Sequence, residues 1–218
     1  MRVEIFADVV CPWCYVGLAR FDRALAGFAH RDDVEVVHRA FELDAAAPPA
    51  GTGTTLQMLR DKYGMSAEQA LAAEQRVAAL AAAEGLPFVV DRRHGNTFDV
   101  HRVLRLASQT GHGDQAHRAV FRAYFSGAAD VFDPAGLTAV AGGAGLDAAA
   151  VDDVLAGDRY AAEVRADERE AARYGISGVP FFVIDTRLGL SGAQPAETLA
   201  AALEQAWKLS TAGSPGAS

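Results

Sequence analysis

Cysteine is nearly missing: the 218 residues contain two, Cys11 and Cys14, in a single turn of chain. A pair that close cannot staple distant segments together, so a disulfide-built scaffold is excluded. Lysine is as scarce, with only Lys62 and Lys208, and the net charge is −8 at pH 7 with histidine neutral. That balance argues against nucleic acid or an anionic membrane as partner. No apolar run approaches membrane-spanning length. The first eight residues, Met1 to Asp8, carry acids and no cleavage-site pattern, so they read as a strand and not as a signal peptide. The expected compartment is the cytoplasm, where a disulfide is more often transient and catalytic than structural. No internal repeat is present.

What the chain does have is Cys11-Pro12-Trp13-Cys14 directly after an apolar strand-like run. If Cys11 caps a helix, its sulfur faces unpaired backbone N–H groups and the positive end of the helix dipole, both of which favour thiolate. Pro12 fits the first helical position, where a missing N–H costs nothing. An exposed attacking thiol with a second thiol one turn later is what disulfide exchange needs. Two blander readings compete. Zinc would require two further ligands, and histidines 30, 38, 94, 101, 112 and 117 form no pair near the cysteines. Inert core thiols would need neither the helix start nor the flanking Pro-Trp. The redox reading, without metal, explains more.

Along the chain, Val3 to Asp8 reads as a buried strand, Pro12 to Phe28 as a helix and Val34 to Phe41 as a second strand. This is a βαβ unit with parallel strands. Pro48 to Thr55 reads as a loop. From Thr54 to about Arg173 the pattern is helical: Ser66 and Gln69 form a capping box, Gly85 closes that helix, and Thr97–Gln109 and Asp114–Phe125 follow. Asp133-Pro134, Asp147 and Asp158 are expected helix starts, and Leu86–Val90 a short extended segment. Pro180–Ile184 and Leu188–Ser191 read as an antiparallel strand pair around a tight turn, followed by a helix from Pro195 to Trp207. The expected division is a discontinuous domain of residues 1–43 and 174–209, a helical insertion of 54–173, and a disordered tail of 210–218.

Taken together, Asp8-Val9-Val10-Cys11-Pro12-Trp13-Cys14-Tyr15, Asn96-Thr97-Phe98-Asp99, Ser177-Gly178-Val179-Pro180-Phe181-Phe182 and Ser191-Gly192-Ala193-Gln194-Pro195 resemble the DsbA family of thioredoxin-fold proteins, and within it the cytoplasmic FrnE-like branch. The resemblance runs to about Trp207. It implies an α/β thioredoxin fold, βαβ plus ββα, interrupted by a large all-helical insertion. It also implies thiol–disulfide oxidoreductase activity, with Cys11 attacking and Cys14 resolving a mixed disulfide. Pro180 resembles the family's cis-proline facing the active site, which leaves Val179 to pair with an extended substrate. Outside the family pattern it reads as a trans proline at a strand start.

Trp13 stands where many relatives carry a histidine. Tryptophan cannot stabilise a thiolate by charge, so a less oxidising pair is expected; the alternative is plain packing at the solvent edge. Pro12, Trp13 and Val179 are the expected substrate contacts. A buried acid six residues before the first cysteine is usual in many thioredoxin-like enzymes, and here that place is Ile5. Asp8 is the nearest substitute for moving the resolving thiol's proton, or else a simple strand-end acid. Asn96 could touch a ligand, as an Asn-Thr pair does in related glutathione-dependent isomerases and transferases, or it is a helix cap. Ser191 and Gly192 offer backbone N–H groups suited to a carboxylate such as glutathione's, or form a turn. The remaining histidines are expected on exposed helix faces. No cofactor is required, and glutathione can serve as redox partner or co-substrate. Partners are protein dithiols or disulfides, and the chain is a monomer or homodimer. A glutathione-dependent isomerase of aromatic or polyketide-type molecules and a redox-regulated chaperone are the competing functions; the paired cysteines argue against the first.

Overall fold

The computed structural model describes residues 1–48 and 51–212. Strand β1 (Arg2–Ala7) lies at the centre of a four-stranded sheet of order β2-β1-β5-β6. It pairs in parallel with β2 (Glu35–Ala40) in the register Val3↔Val36 through Ala7↔Ala40. On its other side it pairs antiparallel with β5 (Phe181–Ile184), which turns through Asp185 and Thr186 into β6 (Leu188–Ser191). The first two of the three turn residues have positive φ, 47° and 57°, and Arg187 N–H closes the turn on Ile184 O at 3.0 Å. Helix α1 (Pro12–Ala26) joins β1 to β2, and the last helix, Ala196–Ala212, packs against it. These are the two halves of a thioredoxin fold.

Between β2 and β5 the chain leaves the sheet. A two-residue strand β3 (Gly53–Thr54) pairs with β4 (Arg93–His94), enclosing α2 (Thr55–Tyr63) and α3 (Ala67–Ala83). Helices α4 (Phe98–Gln109), α5 (Gly113–Ser126), α6 (Pro134–Gly143), α7 (Ala148–Ala156) and α8 (Ala161–Arg173) complete the insertion. The final helix is α9. Thr54 with Gln57 and Ser66 with Gln69 form capping boxes, and Asp133 and Asp147 accept backbone N–H groups at the starts of α6 and α7.

Several boundaries depart from expectation. The extended segment at 86–90 is no strand; Val89 N–H instead donates to Phe125 O at 2.7 Å, and the strand forms at Arg93–His94. Pro49 and Ala50 of the expected 48–55 loop lie outside the described residues, and its end is β3. Asp158 does not start α8: it sits in a turn, and Tyr160, with φ 65°, precedes the helix. Helix α9 runs past residue 210 because Ser210 and Thr211 hydroxyls donate back to Trp207 O, at 2.8 and 3.1 Å. The rest of the expected tail, 213–218, lies outside the described residues.

β1 is buried on both faces, which explains its near-continuous apolar run. One face packs Val3 and Ile5 with Phe21, Phe182, Leu199 and Leu203 under α1 and α9. The other joins Phe6, Val9, Cys14 and Tyr15 to Val103, Phe121 and Phe125 of the insertion. Tyr15 stacks on Phe125 at 4.6 Å between ring centres. Each such buried aromatic contributes about 1.5–3 kcal/mol, so the insertion shares a core with the cysteine-bearing helix. Glu4 survives in β1 because Arg39 Nε donates to it at 2.9 Å, and Arg39 reaches Asp167 of α8 at 2.7 Å with its other end.

Candidate active site

Cys11 is the extended residue before α1, with φ −79° and ψ 112°, and Pro12 occupies the first helical turn. Its N–H donates to Asp8 O at 3.0 Å, a turn that swings the chain from β1 into the helix. The expectation of an exposed Cys11 needs correction: it is 3% exposed, and Cys14 is fully buried. Both are free thiols. Burial pushes the Cys14 thiol well above its ordinary pKa, and the neighbouring Cys11 sulfur and Asp8 charge push it the same way.

The Val179–Pro180 bond is cis, and Cys11 Sγ lies 3.4 Å from Val179 O, close enough to donate to it. Pro180 also packs on α1. A Cβ on Gly17 would stand 2.8 Å from Pro180 Cγ, so only glycine lets the helix approach this closely.

Cys11 opens onto a cleft of about 310 Å³. One wall is Pro12, Trp13, Gly178 and Val179; the other is Met58, Leu59, Tyr63 and Met65 from and beside α2. Trp13 is 42% exposed at its rim. Polar groups also reach it. Lys62 Nζ is held by Leu43 O at 3.1 Å and Asp44 at 3.2 Å. His94 is kept neutral by burial, which outweighs the nearby Asp44. Glu74 and Arg92 form a buried ion pair at 2.8 Å, and the guanidinium lies 4.3 Å over the Phe88 ring.

Asp8 is fully buried, and its charge acts on the Cys14 thiol. Its Oδ2 accepts the Leu43 N–H at 2.7 Å, while Oδ1 has no hydrogen bond and lies 3.5 Å from His101 Nε2. Asp8 thus places a buried carboxylate, one oxygen of it unpaired, whose charge bears on the Cys14 thiol.

Three expected contacts are not at the cleft. Asn96 accepts the Phe98 N–H at 2.9 Å and donates to Glu42 at 2.8 Å, so it is spent on the start of α4 and faces a different cavity. Gly192 N–H donates to Pro180 O at 2.8 Å, and Ser191, opposite Phe181 on the edge strand β6, is not among the residues that line the cleft. The histidines also correct the expectation of exposed helix faces. His94 and His117 are buried; His101 is buried as well, and His38 lies on β2 as the strand pattern implies. His101 shares the buried stripe of Leu104 on α4, a spacing that could have placed it inside. The α2 wall carried no such signal. Among the described residues, no group of three potential metal ligands occurs.

The DSBA-like thioredoxin domain model matches residues 2–204. A structure of a probable DsbA oxidoreductase, SCO1869 from Streptomyces coelicolor, is similar with a TM-score of 0.91 and 55% identity, covering 95% of this chain and 90% of that one. The cytosolic disulfide reductase DsbM from Pseudomonas aeruginosa, in a structure with GSH, shares the fold at a TM-score of 0.65 and 18% identity, covering 95% of this chain and all (100%) of that one. YwbO of Bacillus subtilis (strain 168) is 24% identical over 84% of this chain and 86% of its own length. With its sheet, insertion and paired thiols in place, this chain belongs to the DSBA-like thioredoxin domain family.

Proposed function

We propose that this protein is a thiol–disulfide oxidoreductase working through one redox couple, Cys11 and Cys14. The observation that carries the reading is the asymmetry of the pair. Cys11 meets the cleft at the free N-terminus of α1, beside the Val179 carbonyl, while Cys14 is shut behind it. The Cys11 sulfur belongs to the N-cap residue of α1, beside the unpaired N–H groups of the first turn. Cys11 attacks a substrate disulfide, forming a mixed disulfide and expelling one substrate thiolate. Cys14 then loses its proton and attacks Cys11 Sγ, closing the Cys11–Cys14 bond and releasing the second thiolate. The two electrons gained by the substrate come from the dithiol, so turnover needs a thiol reductant such as glutathione.

Asp8, whose charge bears on Cys14, is the assigned proton acceptor for it, and Pro12, Trp13, Val179 and Pro180 frame the substrate. Met58, Leu59 and Tyr63 suit an apolar residue flanking the substrate cysteine. The SCO1869 likeness supports the chemistry, and the GSH bound in DsbM supports glutathione as partner, with the cytoplasm as working compartment. The test is insulin-disulfide reduction with glutathione. Cys11→Ser should abolish it and Cys14→Ser should slow it, since the mixed disulfide is then released only by glutathione; full activity in Cys11→Ser refutes the proposal.

A further inference from the structure

Resolution by Cys14 poses a problem that the cleft does not solve. The thiol must shed a proton, yet it is fully buried and the cleft lining includes Cys11 but not Cys14. Polar groups lead away from it on the other side. The charge of buried Asp8 bears on Cys14, its Oδ1 is without a hydrogen bond, and 3.5 Å from that oxygen is His101 Nε2, which also lies 3.1 Å from Phe41 O. His101 lines a second cavity of about 10 Å³, room for roughly one water. His38, His117, Arg105 and Asp167 share that cavity. Two buried atoms around it, His38 Nδ1 and Arg105 Nε, have no hydrogen-bond partner. Orphaned donors and acceptors around a water-sized space are what a relay water would satisfy.

The outer end is also polar. The His38 and His117 rings stack at 3.9 Å, and His38 Nε2 lies 2.8 Å from Asp114 Oδ1, whose side chain is half exposed. His38, Arg105 and Asp114 border a solvent-open hollow of about 540 Å³ along the β2 edge. That hollow and the cleft share no residue.

We propose that Asp8 and His101 form a proton relay for Cys14, which connects through the small His38–His117 cavity to solvent at the β2 edge. The inference rests on the Cys11–Cys14 exchange reading. In the resolving step the Cys14 S–H proton passes to the Asp8–His101 pair. The freed sulfur electron pair attacks Cys11 Sγ, and the substrate sulfur leaves with the pair from the broken bond. His101 then hands the proton outward. Reduction of the disulfide runs the path in reverse, so protons and electrons use separate mouths.

The groups facing His101 are suited to this work. Burial alone would hold the imidazole neutral, but hydrogen bonding and attraction from Asp8, and then Glu42, raise its pKa above the ordinary value. An imidazole with a carboxylate beside it can take a proton and pass it on. His117 from α5, which faces it as well, is kept neutral by burial and by His38. Arg105 of its own helix and Asp167 of α8 border the same cavity.

The two steps separate when the reduced full chain meets a dithiobis(nitrobenzoate) disulfide. Attack by Cys11 releases one coloured thiolate, and resolution by Cys14 releases the second. The expected result is that His101→Gln lowers the ratio of second-phase to first-phase rate about 10²-fold near neutral pH. Its second phase should then rise with hydroxide alone, where the wild type levels off. His38→Gln, nearer solvent, should lower the same ratio and tests the route even if the buried variant does not fold. A wild-type ratio and pH profile in either folded variant overturns the relay. Absence of a first phase in the wild type would instead overturn the exchange reading.

Discussion

Replacing Gly17 with alanine sets two known effects against each other at one atom. In a helix interior alanine is favoured over glycine by about 0.8–1 kcal/mol. At position 17 the new Cβ would sit 2.8 Å from Pro180 Cγ and 3.4 Å from Ala193 Cα, inside van der Waals contact. Overpacking of this kind costs about 1–3 kcal/mol, so the net effect is a loss of up to about 2 kcal/mol. Gly142 in α6 has no atom within 4 Å of the same construction. There the substitution should stabilise by about 0.5–1 kcal/mol. In a chain this long 1 kcal/mol moves Tm by about 2–4 °C, so calorimetry should find the two variants shifted in opposite directions. The Gly17→Ala variant should also turn over disulfides more slowly, since relief of the clash moves Pro180 relative to Cys11. Equal stabilisation by both substitutions would refute the claim that α1 and Pro180 are held together through a glycine.

Two other outcomes follow from charge. The buried His117 resists protonation in the folded chain while the unfolded chain protonates below about pH 6.5, so its contribution falls by about 1.4 kcal/mol per pH unit of acidification below that point. His101 works in the opposite sense, its raised pKa favouring the fold in acid; urea titrations at pH 7 and 5 should show a shallower acid loss for His117→Gln, and an unchanged loss would contradict the burial argument. Trp13→His would place a cation beside Cys11 and stabilise the reduced form, raising the reduction potential by about 30 mV for each tenfold gain. Equilibration with glutathione measures this, and a lowered potential would contradict it.

Much of this was legible in the residues because short-range rules govern it. The Ser66–Gln69 box, Asp133-Pro134 and the period of the strands survive in the structure because each is satisfied within a few residues. Cys11, Pro12 and Cys14 could be placed on a helix start for the same reason. What escaped depends on contacts far apart in sequence. The cleft wall on α2 faces Cys11 only because β3 pairs with β4, two residues each. Asn96 and Gly192 looked available because their partners, Glu42 and Pro180, could not be foreseen. His94 and His117 read as exposed because polarity argues for solvent, and both are buried. His101 is inside because Asp8 and Phe41 O receive it there, and a buried polar group with partners is tolerated.

The central claim is that Cys11 alone makes the covalent link to substrate and Cys14 alone breaks it. Mass spectrometry of the Cys14→Ser chain after reaction with a disulfide-bonded peptide measures this directly. The account predicts one peptide attached through Cys11, stable until a thiol is added, and no lasting adduct in the wild type, which instead holds a Cys11–Cys14 disulfide. Attachment at Cys14 in a Cys11→Ser chain, or a wild type that keeps both thiols free throughout, would contradict it.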